Sequence, residues 1–155
     1  MQPVAKKRFN VDLALVHYPV VNKNSEVIGS AVTNLDIHDL ARAGRTYGVD
    51  TVYLVTPYQD QQALIREILD HWQTGYGAEY NSKRKDALSI VKIVDDLEQL
   101  FAAVTEKWQE RPVILATCAR NCGKILPYDA VRERMLAGER FLILFGTAWG
   151  LSPSV

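Results

Sequence analysis

The chain has 155 residues, about the length of one domain. It is 48% apolar and 23% charged, and Lys+Arg and Asp+Glu are equal at 18 each, for a formal net charge of zero. This composition supports a sizeable core, excludes wholesale disorder and excludes a polybasic binder of the histone type, although a local basic patch is enough for nucleic acid.

The longest apolar runs, such as Phe141–Phe145, fall far short of the roughly 18–20 residues that span a bilayer. Lys6, Lys7 and Arg8 precede a stretch interrupted by Asp12 and His17, which makes a poor signal peptide. A cytoplasmic domain without a membrane segment is expected.

In chain order, Val11–Tyr18 is rich in Val and Leu and stops at Pro19, as a buried strand does. Asn22–Ser30 is polar and reads as a loop. Thr33-Asn34-Leu35-Asp36 has the form of a capping box with Asp in place of Glu. The helix it opens carries Ile37, Leu40, Ala41 and Gly44 on one stripe and ends at Tyr47-Gly48. Thr51–Val55 is a second strand. The following helix is expected to bury Leu64, Ile65, Ile68, Leu69 and Trp72 and to stop at Gly75 and Gly77. Asn81–Asp86 is polar and basic, and Leu88–Val94 predicts a third strand. Asp95 and Asp96 cap a helix with a 3.6-residue stripe of Leu97, Leu100, Phe101, Val104 and Trp108. Pro112–Thr117 is a fourth strand, Pro127 opens a short helix closed by Gly138, and Phe141–Phe145 is a fifth strand. Alternation of this kind predicts one α/β domain, a mostly parallel sheet of about five strands with helices on both faces.

Neither GxGxxG nor GxxxxGK[ST] follows the first strand, which disfavours classical dinucleotide and P-loop chemistry. Cys118 and Cys122 have a metal-like spacing, but no second Cys/His pair lies near them, so no metal is expected. His17 stands at a strand end, a favoured place for site residues, although a buried His with a backbone partner has the same pattern. No Ser-His-Asp or Cys-His arrangement is present. His38, Arg42 and Arg45 share a helix face at i, i+4 and i+7. That spacing fits a solvated face or a cluster that grips phosphate. Lys83-Arg84-Lys85, just after Tyr76, Tyr80 and Asn81, suits nucleic acid or an ordinary loop. Gly146-Thr147-Ala148-Trp149-Gly150-Leu151 follows the last strand, where glycines admit close approach of a ligand or serve a tight turn.

Taken together, several segments resemble the SPOUT class of trefoil-knotted, S-adenosyl-L-methionine-dependent RNA methyltransferases. The nearer likeness is to a bacterial family sometimes fused to tRNA guanine-N1 methyltransferase. The segments are His17-Tyr18-Pro19, Ala31–Tyr47, Tyr53–Thr56, Gln61-Gln62, Trp72 with Gly75, Gly77, Tyr80 and Asn81, and Leu144–Leu151. The resemblance implies methyl transfer from S-adenosyl-L-methionine to tRNA or rRNA without a metal, in a homodimer. It implies that Asn34 and Arg42 face substrate and donor, and that Thr117, Gly146, Thr147, Trp149, Gly150 and Leu151 bind the cofactor. His38, Arg45, Lys83, Arg84 and Lys85 are then the candidate RNA contacts. The family commonly has Gly where this chain has Ala148, and it continues beyond the turn into the segment that forms the knot. The expectation is a truncated domain without the knot segment, which binds the donor weakly and self-associates. A non-catalytic RNA-binding or dimerising module is the alternative.

Overall fold

The computed structural model describes residues 9–120 and 123–155. The basic run Lys6–Arg8 and Cys122 lie outside them. Among the described residues, no helix is long and apolar enough to cross a membrane, and no group of three His, Cys, Asp or Glu side chains is placed to hold a metal ion.

The strands are β1 (Val11–Val16), β2 (Val20–Val21), β3 (Val27–Ile28), β4 (Thr51–Val55), β5 (Val91–Val94), β6 (Val113–Ala116) and β7 (Phe141–Gly146). The helices are α1 (Asn34–Tyr47), α2 (Gln59–Gln73), α3 (Tyr76–Tyr80), α4 (Ser82–Leu88), α5 (Leu97–Trp108) and α6 (Tyr128–Leu136). Five strands form one sheet in the order β5-β4-β1-β7-β6, every pair parallel. The chain thus builds outward from β1 to β5, crosses to the far edge at β6, and inserts its last strand beside its first. Right-handed crossovers in both directions require helices on opposite faces.

The side chains follow that division. Leu13, Val52, Leu54 and Phe141 share a cluster with Ile37, Ala41, Ile65 and Leu88 from α1, α2 and α4. Ala14, Val16, Tyr53, Val55, Leu142 and Leu144 point to the other face, against Leu100 and Val104 of α5 and Val20 of the β2–β3 hairpin. The two-residue alternation of each strand assigns neighbours to opposite clusters. Burial pushes the Tyr53 hydroxyl pKa up to about 12.

The capping box forms as read: Thr33 accepts from the Asp36 N–H, and the Asp36 carboxylate accepts from the Thr33 N–H. Several expectations need correction. The loop at Asn22–Ser30 contains half of a hairpin, whose turn is held by Asn22 Oδ1 accepting from the N–H groups of Asn24 and Glu26. The second helix stops before Gly75, but Gly77 lies inside α3. A Cβ on Gly77 would come within 2.6 Å of the Trp72 ring, so the glycine serves close packing. The polar run at 81–86 is mostly helix α4, capped by Asn81 Oδ1 accepting from the Arg84 N–H. The third strand accordingly starts at Val91, and Leu88 is a buried helical residue. Leu64, expected in the core, is 40% exposed.

Candidate functional site

The C-terminal ends of parallel strands are where open α/β sheets take their ligands. Here the ends of β1 and β7 are adjacent, with Val16 opposite Gly146. The chain after β7 folds back over the chain after β1. The Thr147 N–H donates to the Val16 carbonyl, Trp149 N–H to Val21, Val21 N–H to Gly150 and Ser152 N–H to Pro19. Leu151 makes an antiparallel bridge with Val20. A Cβ on Gly146 would lie 2.5 Å from the Leu151 nitrogen, so this glycine is required by the turn's own backbone. Gly150 has φ 113° and Ala148 φ 52°, both in the left-handed region. Both glycines of the motif are thus explained by the turn itself.

Side chains lock the same place. The Val16 carbonyl can only accept, so the Thr147 hydroxyl donates to it at 3.0 Å. Thr147 Oγ1 in turn accepts from Ser30 Oγ. Ser30 Oγ then accepts from His17 Nδ1 at 3.0 Å, which fixes the imidazole as the Nδ1–H tautomer. His17 is fully buried, and its Nε2 has no hydrogen-bond partner. Burial lowers the His17 pKa, against smaller raising effects from Asp36 and the backbone at Ala31 and Ser30. The structure joins His17 to the motif through Ser30, a residue the sequence reading gave no role. Those bonds also commit the Thr147 hydroxyl to the turn.

Thr117, at the end of β6, is held to the Leu144 carbonyl by its N–H and its hydroxyl. An Arg120 guanidinium nitrogen lies 3.9 Å from the Cβ position of Gly150, which brings the chain after β6 against the turn. The sequence pattern gave no signal for Arg120. Trp149 keeps its side chain 63% exposed.

The helix face divides its residues. Asn34 stands at the first turn of α1, four residues after Ser30 in sequence, and lines a groove with Leu64, Glu67, Ile68, His71 and Trp72 of α2. Arg42 is eight residues further on, about 12 Å along the axis at the α-helical rise. It is exposed, and α4 lies beside α1. Arg45 is spent: it grips Asp86 of α4 in a bidentate pair at 2.7 and 2.8 Å, which raises its pKa and lowers that of Asp86. Arg84 stacks over Trp72, 4.4 Å from the ring centroid, and His38 meets the same ring edge-on. The His38 pKa is lowered, first by burial and then by Arg84 and Arg42, with Asp39 opposing. The structure therefore brings His38, Arg42, Arg45 and the Lys83–Lys85 segment to one side of the molecule, and Thr117 and the 146–151 turn to another.

A family described as SAM-dependent RNA methyltransferase matches residues 10–155. The chain belongs to this family. Among curated relatives, the tRNA (guanine-N(1)-)-methyltransferase of Oleidesulfovibrio alaskensis is 42% identical over 146 residues, covering 94% of this chain and 34% of its own length. The protein of that name from Nitratidesulfovibrio vulgaris is 38% identical over 146 residues, with the same coverage of 94% and 34%. An uncharacterized protein of Aquifex aeolicus is 29% identical over 147 residues, 94% of this chain and 72% of its own length. The chain thus spans about a third of the length of the two tRNA methyltransferases it matches. The family's reaction is methyl transfer to RNA, and its cofactor is S-adenosyl-L-methionine.

Proposed function

We propose that this chain binds S-adenosyl-L-methionine at the crevice between β1, β6 and β7 and transfers its methyl group to RNA, with the α1–α4 side receiving the RNA. The turn at 146–151, doubled back on β2 and tied through Ser30 to His17, is the observation that carries the reading. A rigid backbone turn at a strand end is a preformed wall for a small polar ligand. The residues fit the donor: an orphaned buried acceptor at His17 Nε2, a guanidinium at Arg120 for a carboxylate, and the Trp149 ring for an apolar part. Thr117, Gly146, Thr147, Trp149, Gly150 and Leu151 are the proposed cofactor residues, acting through backbone more than through hydroxyls.

When bound, S-adenosyl-L-methionine would supply an electrophilic sulfonium methyl: a nitrogen or oxygen lone pair of the RNA would bond the methyl carbon in line as the carbon–sulfur bond breaks, the electron pair leaving on the neutral thioether S-adenosyl-L-homocysteine and the acceptor's proton passing to solvent. The chain's part is positioning. Asn34, at the start of α1, orients the acceptor beside the crevice. Arg42 holds a phosphate, and His38, Lys83, Arg84 and Lys85 extend the contact. Arg45 contributes least because its fork is already filled by Asp86. tRNA, in the names of two relatives, is the first RNA to test. A cytoplasmic homodimer of the SPOUT class completes the proposal. It is supported by the exposed apolar side chains of Ile125, Leu126, Tyr128 and Trp149. Calorimetry with S-adenosyl-L-methionine and anisotropy with tRNA test the two halves separately. A stoichiometric donor site lost in Gly146→Ala is expected. RNA binding without any donor binding makes the chain a binding module instead.

A further inference from the structure

Helix α3 is short, and its place is set by Gly77, which is buried against Trp72 and His71. That packing leaves Tyr76 and Tyr80, one turn apart, each 76% exposed. Their rings face each other nearly in parallel, with centroids 6.3 Å apart and an interplanar angle of 22°. Two large rings side by side in water are unusual on a surface with no function. The next helix, α4, begins two residues later and carries Lys83, Arg84 and Lys85. Among the described residues, Lys83 and Lys85 make no ion pair, and the neighbouring Asp86 carboxylate is taken by Arg45. Glu79, between the two tyrosines in sequence, is the acidic residue of α3.

We infer that Tyr76 and Tyr80 form a stacking platform for unpaired bases of an RNA whose phosphates are held by Lys83 and Lys85. This deepens the RNA-face reading above and rests on it. The chemistry selects single strands. Base faces are free to stack on aromatic rings only when they are not stacked within a duplex, whereas lysine–phosphate attraction is indifferent to pairing. Position adds a second condition. Helix α2 leaves the C-terminal end of β4 and runs 15 residues before α3 begins, a path of about 22 Å. Trp72 and His71 at the end of that path pack on Gly77 and also line the groove that holds Asn34, so one RNA strand can lie on the platform and reach the start of α1.

The test measures binding of the wild-type chain to a fluorescently labelled, unstructured single-stranded RNA and to the duplex made by annealing it to its complement. Three double variants accompany it: Tyr76→Ala/Tyr80→Ala, Tyr76→Phe/Tyr80→Phe and Lys83→Ala/Lys85→Ala. The alanine pair is expected to weaken single-strand binding about tenfold or more, since base–aromatic stacking is of that size. Duplex binding should hardly change, and the phenylalanine pair should restore the single-strand affinity. The lysine pair should weaken both RNAs and flatten the salt dependence. Unchanged single-strand affinity in the alanine pair, with the lysine pair impaired, overturns the platform and leaves the RNA face standing. An equal loss on both RNAs overturns it too, as does a dimer in sedimentation that the alanine pair dissolves without altering RNA affinity. No effect from the lysine pair, or no RNA binding by wild type, refutes the RNA-face reading itself.

Discussion

Two fully buried polar residues flank the two ends of β1, Asp12 at its start and His17 just past its end, and they are treated differently. Asp12 is satisfied on both oxygens. Lys107 Nζ donates to Oδ1 at 2.6 Å and Trp108 Nε1 donates to Oδ2 at 2.7 Å, with Lys107 also held by Thr51 and Asp50. His17 has one nitrogen bonded and one bare. Both side chains join distant parts of the chain, but only the network at the C-terminal end retains an unused acceptor. A completed buried network is what stability requires, because an orphaned group costs its full desolvation. A network left incomplete in the crevice is what a ligand site requires. The difference sets the Asp12 end apart as architecture and fits the donor site proposed at the His17 end.

The largest expected effect tests the architectural end. Asp12→Ala strips Trp108 of its acceptor and leaves Lys107 with Asp50 and the Thr51 hydroxyl. Breaking a buried pair in this way costs about 3 kcal/mol. Urea unfolding should show that loss, while the folded fraction binds S-adenosyl-L-methionine as before. A cost below about 1 kcal/mol, the size of a surface pair, would contradict the contrast.

At the other end, Ser30→Ala removes the link between His17 and Thr147. The stability cost is smaller, about 1–2 kcal/mol for unpaired partners in a half-buried place. Donor affinity should nevertheless fall about tenfold, equivalent to about 1.4 kcal/mol, and Ser30→Thr should recover most of it. Equal donor affinity in Asp12→Ala and Ser30→Ala would erase the distinction between the two ends.

The pH dependence separates them further. His17 is kept neutral by burial, so its folded pKa lies below the unfolded value of about 6.5. As pH falls below that value, the unfolded chain takes up a proton that the native chain refuses. Stability therefore declines on acidification through this window and is regained as pH rises. For one proton the slope is at most about 1.4 kcal/mol per pH unit. His38, whose pKa is also lowered, adds a contribution of the same sign. His17→Asn should flatten the slope, as read by melting temperature between pH 5 and pH 7, values chosen to bracket about 6.5.

Much of this architecture is written locally. The Thr33–Asp36 cap, the apolar runs of the strands and the stripe of α5 all appear within a few consecutive residues, so they could be read. The hairpin escaped because each strand has two residues and shows no period. Helices α3 and α4 escaped because a glycine buried for packing looks like a glycine that ends a helix, although Asn81 offered a cap. The site was legible only in part. The motif after β7 and the basic face of α1 stand out, but the bond from Ser30 to Thr147 spans 117 residues and leaves no local pattern. Arg45 shows the converse: its spacing was right, and only the fold revealed that Asp86, 41 residues on, had claimed it.

The smallest effect concerns backbone at the same crevice. Ala148 adopts φ 52°, where a Cβ crowds the carbonyl and glycine is at ease. Its neighbour Gly150 has φ 113° with no such burden. Ala148→Gly should relieve that strain, but glycine also gives the unfolded chain more freedom to lose. The net expectation is a gain of about 0.5 kcal/mol, visible as a small rise in urea midpoint at unchanged slope. The side chain at 148 is exposed and makes no bond in the His17–Ser30–Thr147 relay. Stability should therefore rise without the donor-affinity change expected of Ser30→Ala. If Ala148→Gly instead weakens donor binding, the alanine is holding the turn in its binding shape. The rigidity of the crevice would then come from backbone strain as well as from side-chain bonds.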